Sequence, residues 1–485
     1  MFRVSCIVYH KIMPKPLILE NIHTVHLTGI KGVGMTALAC CFQDLGVKIT
    51  GSDVAEVFVT DEVLKKRQIS FKIGFSAKNL GNPDLLITTG AHGGLLNPEV
   101  KAAKKRGIPI MTHGEALGFL MKEKRGISVC GVGGKSTTSA MTATVLNHAG
   151  LAPSYAVGVA EIFPLGFPGR FEKKGEFFVA EADEYATCKG VDPRPRFFWQ
   201  NPEFIICTNI EYDHPDIYPN LAATKKTFLR FFQKIPPAGF LIINGDNPNN
   251  RDVLKSYRGN VFTYGRGEKN QWQVKNIIYQ ERKSLFSLYY QNKKEASFSL
   301  SIPGEYNILN ATATIILGKI LGLSYKIVGE GIKKFKGTKR RFEKIGENQK
   351  ITVYDDYAHH PSEVKATLRA ARKWFGPAKR LIAIFQPHTF SRTKYLLKDF
   401  GAAFKDANVV VIAPIYASAR EEKDPSITPV VLAQEISKHQ KGVYFVNNLK
   451  ELTPLIKKIA QKGDIVFTIG AGDTWKIGKE LLKNN

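Results

Sequence analysis

Strand and helix patterns that alternate along most of the 485 residues predict an α/β protein with parallel sheets, divided into three domains. Three observations carry this reading. Glycine-rich turns sit between strand patterns and helix patterns, and several strands end in clusters of acids and histidines. The length also exceeds the roughly 250–300 residues at which a single core stops growing.

In the first section "HTVHLTG" reads as a strand, "GVGMTALACCFQDLG" as a helix and "VKITGSD" as a second strand. "PDLLITTGA" is a later strand, and "NPEVKAAKKRG" a helix closed by glycine. A charged linker, "MKEKRG" at 121–126, ends the section. The second section opens at "GISVCG" and continues through the strands "EFFVAEAD", "FIICTNI" and "GFLIIN". From about 260 to 302, "VFTYG", "WQVKNIIYQ", "SLFSLYYQ" and "ASFSLSI" read as short antiparallel strands, with the helix "NILNATATIILGKILG" after them. "GTKRRFE" begins a third section, whose strands are "KITVYDD", "RLIAIFQ", "ANVVVIAP" and "DIVFTIGAG". The expected domains are 1–122, with 1–20 a loose extension, then 123–336 and 337–485.

Composition narrows the function classes. Hydrophobic residues make up 44 %, enough for ordinary cores, and no apolar run approaches the ~20 residues that span a bilayer. The N-terminus lacks a small-residue cleavage site, so a cytoplasmic protein without a membrane partner is expected. Cys6, Cys40, Cys41, Cys130, Cys188 and Cys207 form no C-x-x-C pair, which predicts reduced, mostly buried thiols. The net charge of +26 raises nucleic-acid binding, but the basic residues are scattered among acids and no RNA or DNA motif accompanies them. Specific nucleic-acid binding is not expected, whereas polyanionic small substrates suit such a protein. The oligomeric state is left open.

The chemistry-bearing residues cluster at strand ends. "VCGVGGKSTT" departs from the full P-loop spacing, yet Gly131, Gly133 and Gly134 let the backbone approach an anion. Lys135 supplies a cation, and Ser136 or Thr137 a hydroxyl for Mg²⁺. "LTGIKGVGM" places Gly29, Gly32 and Gly34 at a strand-to-helix turn, with Asp53 ending the next strand where a ribose-binding acid belongs. "VAEADEY" brings Glu181, Asp183 and Glu184 to a strand end, where carboxylates can hold the Mg²⁺ that accompanies ATP. "TNIEYDHPDIY" repeats the arrangement with Asp213, His214 and Asp216. "VYDDYAHHPSEV" carries Asp355, Asp356, His359 and His360, and "FQPHTFSRT" carries His388 and Arg392. An arginine fork suits a carboxylate or phosphate. "KRRFE" supplies Lys339, Arg340 and Arg341, one of which can reach a γ-phosphate.

Taken in order from about His23 to Lys479, "GIKGVGM", "GSD", "NPEV", "GGKSTT", "EADEY", "TNIEYDHPD", "GEYNILNA", "GTKRRFE", "DDYAHHPSEV", "FQPHTFSRT" and "GAGD" resemble the Mur ligases, ATP-dependent enzymes that build the peptidoglycan peptide. "FQPHTFSRT" and "IYASARE" are most similar to the branch that joins L-alanine to UDP-N-acetylmuramate. A neighbouring branch joins a recycled tripeptide to the same sugar, and "DHPDIYPN" would suit it too. The resemblance implies a Rossmann-like UDP-binding domain, a central P-loop-like ATP-binding domain and a C-terminal Rossmann-like domain for the amino acid. It implies that Gly131, Val132, Gly133, Gly134, Lys135, Ser136 and Thr137 cradle the ATP phosphates. Ser136 and Glu181 would bind one Mg²⁺, and His214 a second with Glu181. Asn307 would hold the adenine, Arg341 the γ-phosphate and Asp356 the ribose side. His388 and Arg392 would face the alanine and the reacting carboxylate.

The chain also departs from the family. The usual G-T-H-G-K-T-T loop reads Gly131-Val132-Gly133-Gly134-Lys135-Ser136-Thr137, and G-x-H-N becomes Gly304-Glu305-Tyr306-Asn307. "YATC" follows Glu184 where an Asp and an aromatic are usual. These departures leave a non-catalytic nucleotide- or UDP-sugar-binding relative as an alternative.

Overall fold

The computed structural model describes residues 18–280, 282–417 and 421–483. Residues 1–17 of the expected extension, with Cys6, and residues 418–420 of "IYASARE" lie outside them. Of the rest of that extension, Leu19–Asn21 forms one short helical turn.

Five parallel strands make the first sheet, in the order Lys72–Ile73, Lys48–Asp53, Thr24–Thr28, Leu85–Thr88, Ile110–Thr112. The order reverses beside Thr24–Thr28, and such a switch point leaves a ligand crevice at the strand ends. The helix Val33–Asp44 leaves that strand through the first glycine turn, with residues 35–42 buried. Helix Pro98–Lys105 starts where the sequence says it should. Asn97 accepts the N–H of Glu99, and Pro98 takes a first-turn position whose N–H would have no helical partner anyway.

The second sheet has ten strands: Lys293–Leu300, Lys283–Tyr290, Trp272–Gln280, Val261–Gly265, Phe240–Asn244, Pro202–Cys207, Arg125–Cys130, Phe177–Glu181, Ser154–Ala156 and Gly169–Arg170. From Val261–Gly265 to Ser154–Ala156 they run parallel. One expectation is corrected here. Val261–Gly265 pairs in parallel with Phe240–Asn244, and only the last three strands form an antiparallel meander. Side-chain alternation does not encode strand direction. The helix Pro248–Leu254 does, because it is the crossover that a parallel pair needs. The linker at 121–126 is also shorter than expected, since His113–Met121 ends and Arg125–Cys130 begins inside it.

Gly337–Thr338 pairs with Ile162–Phe163, so the chain is still laced to the second section where the third was expected to begin. The third sheet runs Glu343–Glu347, Ile351–Asp356, Asp464–Ile469, Leu381–Phe385, Val409–Ile412, Val443–Phe445, parallel except for its first strand. In the middle section the helix Lys135–His148 is buried along 136–146 and packs on Glu305–Ile320 and Tyr325–Lys334. Its small residues permit that close approach, and the hydroxyls of Thr142 and Thr314 meet at 3.1 Å across the helix contact. Cys40, Cys41, Cys130, Cys188 and Cys207 are free and buried, as expected. Among the described residues no helix is long and apolar enough to cross a membrane.

Candidate active site

The turn 131–134 joins Arg125–Cys130 to the buried helix. Two neighbouring strands deliver their ends beside it, because Glu181 is in register with Val129 and Cys207 with Cys130. "EADEY" and "TNIEYDHPDIY" therefore flank the turn. Gly131 has φ +123°, and a Cβ there would lie 2.2 Å from Thr208 Oγ1, so glycine is required. Asn209 braces the turn: its Oδ1 accepts the Gly133 N–H at 2.8 Å and its backbone oxygen the Val132 N–H at 3.1 Å. The N–H groups of Lys135, Ser136 and Thr137 open the helix without helical partners, which makes an anion site.

Lys135 Nζ lies 3.0 Å from Glu184 Oε2. Burial pushes the ammonium toward neutrality, but Glu184, Asp183 and Glu181 outweigh it and hold the lysine charged. Burial drives the Glu184 carboxyl up, Lys135 pulls it down and Asp183 adds to the rise, leaving it at about 7. Ser136 Oγ donates to Glu181 Oε1 at 3.1 Å, and Arg341 Nη2 donates to Ser136 Oγ at 3.4 Å. The other Glu181 oxygen accepts the Gly158 N–H at 2.8 Å.

His214 Nε2 is 3.7 Å from Glu184 and 3.6 Å from Asp213 Oδ2. Burial lowers the imidazole to about 4, so it is neutral near pH 7. Asp183, Glu184 and His214 each bring a ligand atom to within 4.8 Å of the others. The resemblance pairs His214 with Glu181, whereas the structure sets it against Glu184 and leaves Glu181 with Ser136. Both groupings offer hard oxygens, and the neutral imidazole adds a nitrogen, so the donor chemistry fits a divalent cation.

At the first turn Gly29 has φ +81° and its Cβ would meet Thr89 Cγ2 at 2.4 Å, while a Cβ on Gly34 would meet His113 Nε2 at 2.5 Å. Gly32 closes the turn by donating to Gly29 O at 3.2 Å. Asp53 stands at the end of its strand, but its carboxylate already accepts the Lys31 and Val54 N–H groups at 2.7 and 2.8 Å.

In the third section Arg392 and His388 face the second. Arg392 donates from Nε and Nη2 to Asp213 Oδ1 at 3.0 and 2.9 Å, and from Nη1 to His388 Nδ1 at 2.9 Å. Of "KRRFE", Arg341 reaches the turn, while Arg340 is buried on Asp355 at 2.8 Å and Lys339 lies 3.4 Å from Glu343. Asp356 accepts the Phe342 and Ala358 N–H groups at 2.8 Å each, and burial, opposed by Arg341, raises its carboxyl to about 6. Asn307 donates to Pro303 O at 2.6 Å and accepts from Asn310 at 3.2 Å.

Two cavities gather these residues. One of about 670 Å³ is lined by Gly29, Asp53, Lys135, Glu181, His214 and Arg392 among others. The second, about 240 Å³, is lined by Gly133, Thr137, Tyr306, Asn307, Arg341 and Asp356 among others. Gly134, Ser136 and Arg341 line both, so the cavities meet at the turn.

This layout recurs in known proteins. The chain is 38 % identical over 459 residues to a UDP-N-acetylmuramate–L-alanine ligase from Desulfitobacterium hafniense, covering 94 % of this chain and 99 % of that one. A ligase of the same name from Caldanaerobacter subterraneus is 38 % identical over 470 residues, covering 96 % and 99 %. Residues 24–125, 129–318 and 340–472 match the Mur ligase family catalytic domain, the Mur ligase middle domain and the Mur ligase glutamate ligase domain. The chain belongs to the Mur ligase family. Among solved structures, a UDP-N-acetylmuramate-alanine ligase from Thermotoga maritima superposes with a TM-score of 0.79 at 26 % identity, covering 95 % of this chain and 98 % of that one. A murein peptide ligase from Psychrobacter arcticus shares the fold, with a TM-score of 0.70 at 23 % identity over 95 % of this chain and 98 % of that one.

Several residues of this Mur ligase site escape the sequence reading. Asn209 directly follows "FIICT" and could have been found as a polar strand end next to the turn. Lys31 is 1 % exposed inside the first glycine motif and gives no such signal, because lysine in a turn ordinarily faces water. Glu363, which accepts the His359 N–H at 3.1 Å and lines both cavities, is hidden in an amphipathic helix.

Proposed function

We infer that this Mur ligase joins L-alanine to UDP-N-acetylmuramate at the cost of one ATP. The observation that carries the reading is near-complete, colinear identity of 38 % with ligases of that name. The muramate carboxylate attacks the γ-phosphate of ATP, giving an acyl phosphate and ADP. The alanine amine then attacks the acyl carbon, and phosphate leaves as the amide forms. The residues supply position and charge, the main levers of phosphoryl transfer.

In this reading the turn 131–134 and the first-turn N–H groups hold the β- and γ-phosphates, with Lys135 on their oxygens. Arg341, at the junction of the two cavities, faces the transferring phosphoryl group. Gly29, Gly32 and Gly34 seat the UDP diphosphate, and Asp53 fixes that turn from beneath. Asn307 and Asp356 flank the adenosine, and His388 and Arg392 meet the acceptor. Mg²⁺ supplies charge neutralisation of the phosphate oxygens, held by Ser136 and Glu181, with Glu184 and His214 as a second set.

Phosphate release from purified protein, UDP-N-acetylmuramate, ATP and Mg²⁺ tests the reading. L-Alanine should support turnover and L-Ala-γ-D-Glu-diaminopimelate should not. Turnover with the tripeptide alone assigns the neighbouring branch, and no turnover with either acceptor overturns the ligase reading.

A further inference from the structure

The acceptor arginine is not held by its own domain alone. Arg392 lies on the helix Phe390–Tyr395 of the third section, yet its carboxylate partner, Asp213, follows the strand Pro202–Cys207 of the second. Arg392 and Asp213 are 5 % and 6 % exposed. A guanidinium carries five N–H donors. Nε and Nη2 each give one to Asp213 Oδ1, and Nη1 gives one to His388 Nδ1. Two N–H groups remain on the terminal nitrogens, and among the described residues Nη1 and Nη2 make no hydrogen bond besides those to His388 and Asp213. These N–H groups are available to an acceptor such as a carboxylate, and the side chain lines the large cavity.

Asp213 is itself fixed. Its Oδ1 also accepts the His214 N–H at 2.7 Å, in a turn where His214 has φ +56°. The same short segment touches the third section again: Ser362 Oγ donates to Glu211 Oε2 at 2.9 Å, His360 Nδ1 lies 3.6 Å from that oxygen, and the rings of Tyr212 and Tyr395 meet edge-on at 5.2 Å. Its first residue, Asn209, braces the phosphate turn. One stretch, 209–213, thus joins the ATP cradle to the acceptor arginine.

We propose that Asp213 is a positioning residue for the acceptor: it orients Arg392 so that the remaining N–H groups meet the carboxylate of the incoming amino acid, and does so only while the second and third sections are docked. The proposal rests on the reading of the chain as an L-alanine-adding ligase. Arg392 swung away from Asp213 would keep its charge but lose its aim.

Full-length Asp213→Asn keeps the shape and one acceptor oxygen. Its KM for L-alanine should rise about 10–100-fold, by analogy with losing the partner that orients a metal-binding side chain. KM for ATP and UDP-N-acetylmuramate, and the affinity for a non-hydrolysable ATP analogue, should stay within about threefold, because the asparagine keeps the oxygen that accepts the His214 N–H. Asp213→Glu, which restores the charge, should recover part of the loss. Adding Arg392→Lys to Asp213→Asn should raise KM little beyond the worse single variant, since both break one unit. An unchanged KM for L-alanine in Asp213→Asn overturns the proposal. So do an equal rise for all three substrates, a lost ATP-analogue affinity, or single-variant effects that multiply. Wild-type enzyme run alongside separates the layers: turnover of L-alanine by wild type with a normal Asp213→Asn removes the positioning role alone, whereas a wild type indifferent to L-alanine removes the ligase reading and this proposal together.

Discussion

Two glycine turns, each between a parallel strand and a helix, are backed by buried glutamates that behave in opposite ways. Behind the first turn, burial pushes Glu99 up, but His26, Ser52, Thr28 and Asn79 donate to it and bring it down to about 2. Its oxygens accept Ser52 Oγ at 2.6 Å, Thr28 Oγ1 at 2.7 Å and Asn79 Nδ2 at 3.0 Å, with His26 Nε2 at 3.2 Å. Beside the second turn, Glu184 has Lys135 as its cation and Asp183 as a like-charged neighbour, and it sits at about 7. A buried carboxylate surrounded by donors is scaffold. One that must share its cation with a second acid is left poorly satisfied, and a ligand can exchange for it.

The lysines differ in the same sense. Lys31 points inward, giving hydrogen bonds to the carbonyls of Val54, at 3.0 Å, and Glu56. Lys135 points into the cleft and would trade Glu184 for phosphate. The largest expected effect therefore lies at the second turn. Lys135→Ala should lower ligase turnover by on the order of 10²–10³, as when one preorganised charge-stabilising donor is lost. The melting temperature should barely move. Near-normal turnover in phosphate release would put Lys135 in the same structural class as Lys31.

Glu99→Gln probes the other side. Its folded value of about 2 lies below the ordinary 4.5. The depressed carboxyl thus contributes stability that is present above about pH 4.5 and is lost as pH falls toward 2, at most roughly 3 kcal/mol. The variant should unfold at clearly lower urea concentration at pH 7, with the gap to wild type closing between pH 4.5 and 2. A gap that does not depend on pH would mean that Glu99 carries no charge in the fold.

A smaller effect is expected at Glu181, whose contact with Ser136 Oγ has no counterpart at the first turn. Glu181→Gln keeps the volume and removes the charge. Half-saturation by Mg²⁺ should move up by about tenfold, in line with losing one charged partner, and activity at saturation should also fall. An Mg²⁺ titration that overlays wild type would make Glu181 only the brace of Gly158.

Much of this was legible in the sequence, for identifiable reasons. Strand ends in an α/β sheet face the ligand crevice, so glycines, acids and histidines clustered after apolar runs locate the site before any contact is known. That logic singled out Lys135, Glu181 and His214, the family resemblance added Arg341, and the structure sets all four around one cavity. It did not find who pairs with whom. His214 against Glu184, Arg392 against Asp213 and Asn209 beneath Gly133 are contacts between segments about 30 to 180 residues apart, and one-dimensional spacing does not encode them. The direction of Val261–Gly265 was missed because alternation reports burial rather than polarity of pairing. Lys31 was missed because its neighbours, Phe58 and Phe71, which lie 4.9 and 5.4 Å from its ammonium, come from later loops.

Lys31 yields the smallest and most discriminating expectation. Its ammonium sits under the segment 54–60, holding two carbonyls, approaching Asp61 at 3.5 Å and lying near two rings, while its own carbonyl accepts the Thr60 hydroxyl. The segment that it holds supplies Phe58 and Val59 to the wall of the large cavity, next to the first turn. Lys31→Met keeps the aliphatic stem and leaves those carbonyls unpaired, a loss of about 1–3 kcal/mol for buried acceptors. If the first lysine acts only through that loop, KM for UDP-N-acetylmuramate should rise several-fold, by less than about tenfold, with kcat and KM for ATP unchanged. Should Lys31→Met instead lower kcat as Lys135→Ala does, the two turns would be using their lysines alike, and the division between scaffold and cleft drawn from Glu99 and Glu184 would fail at its nearest test.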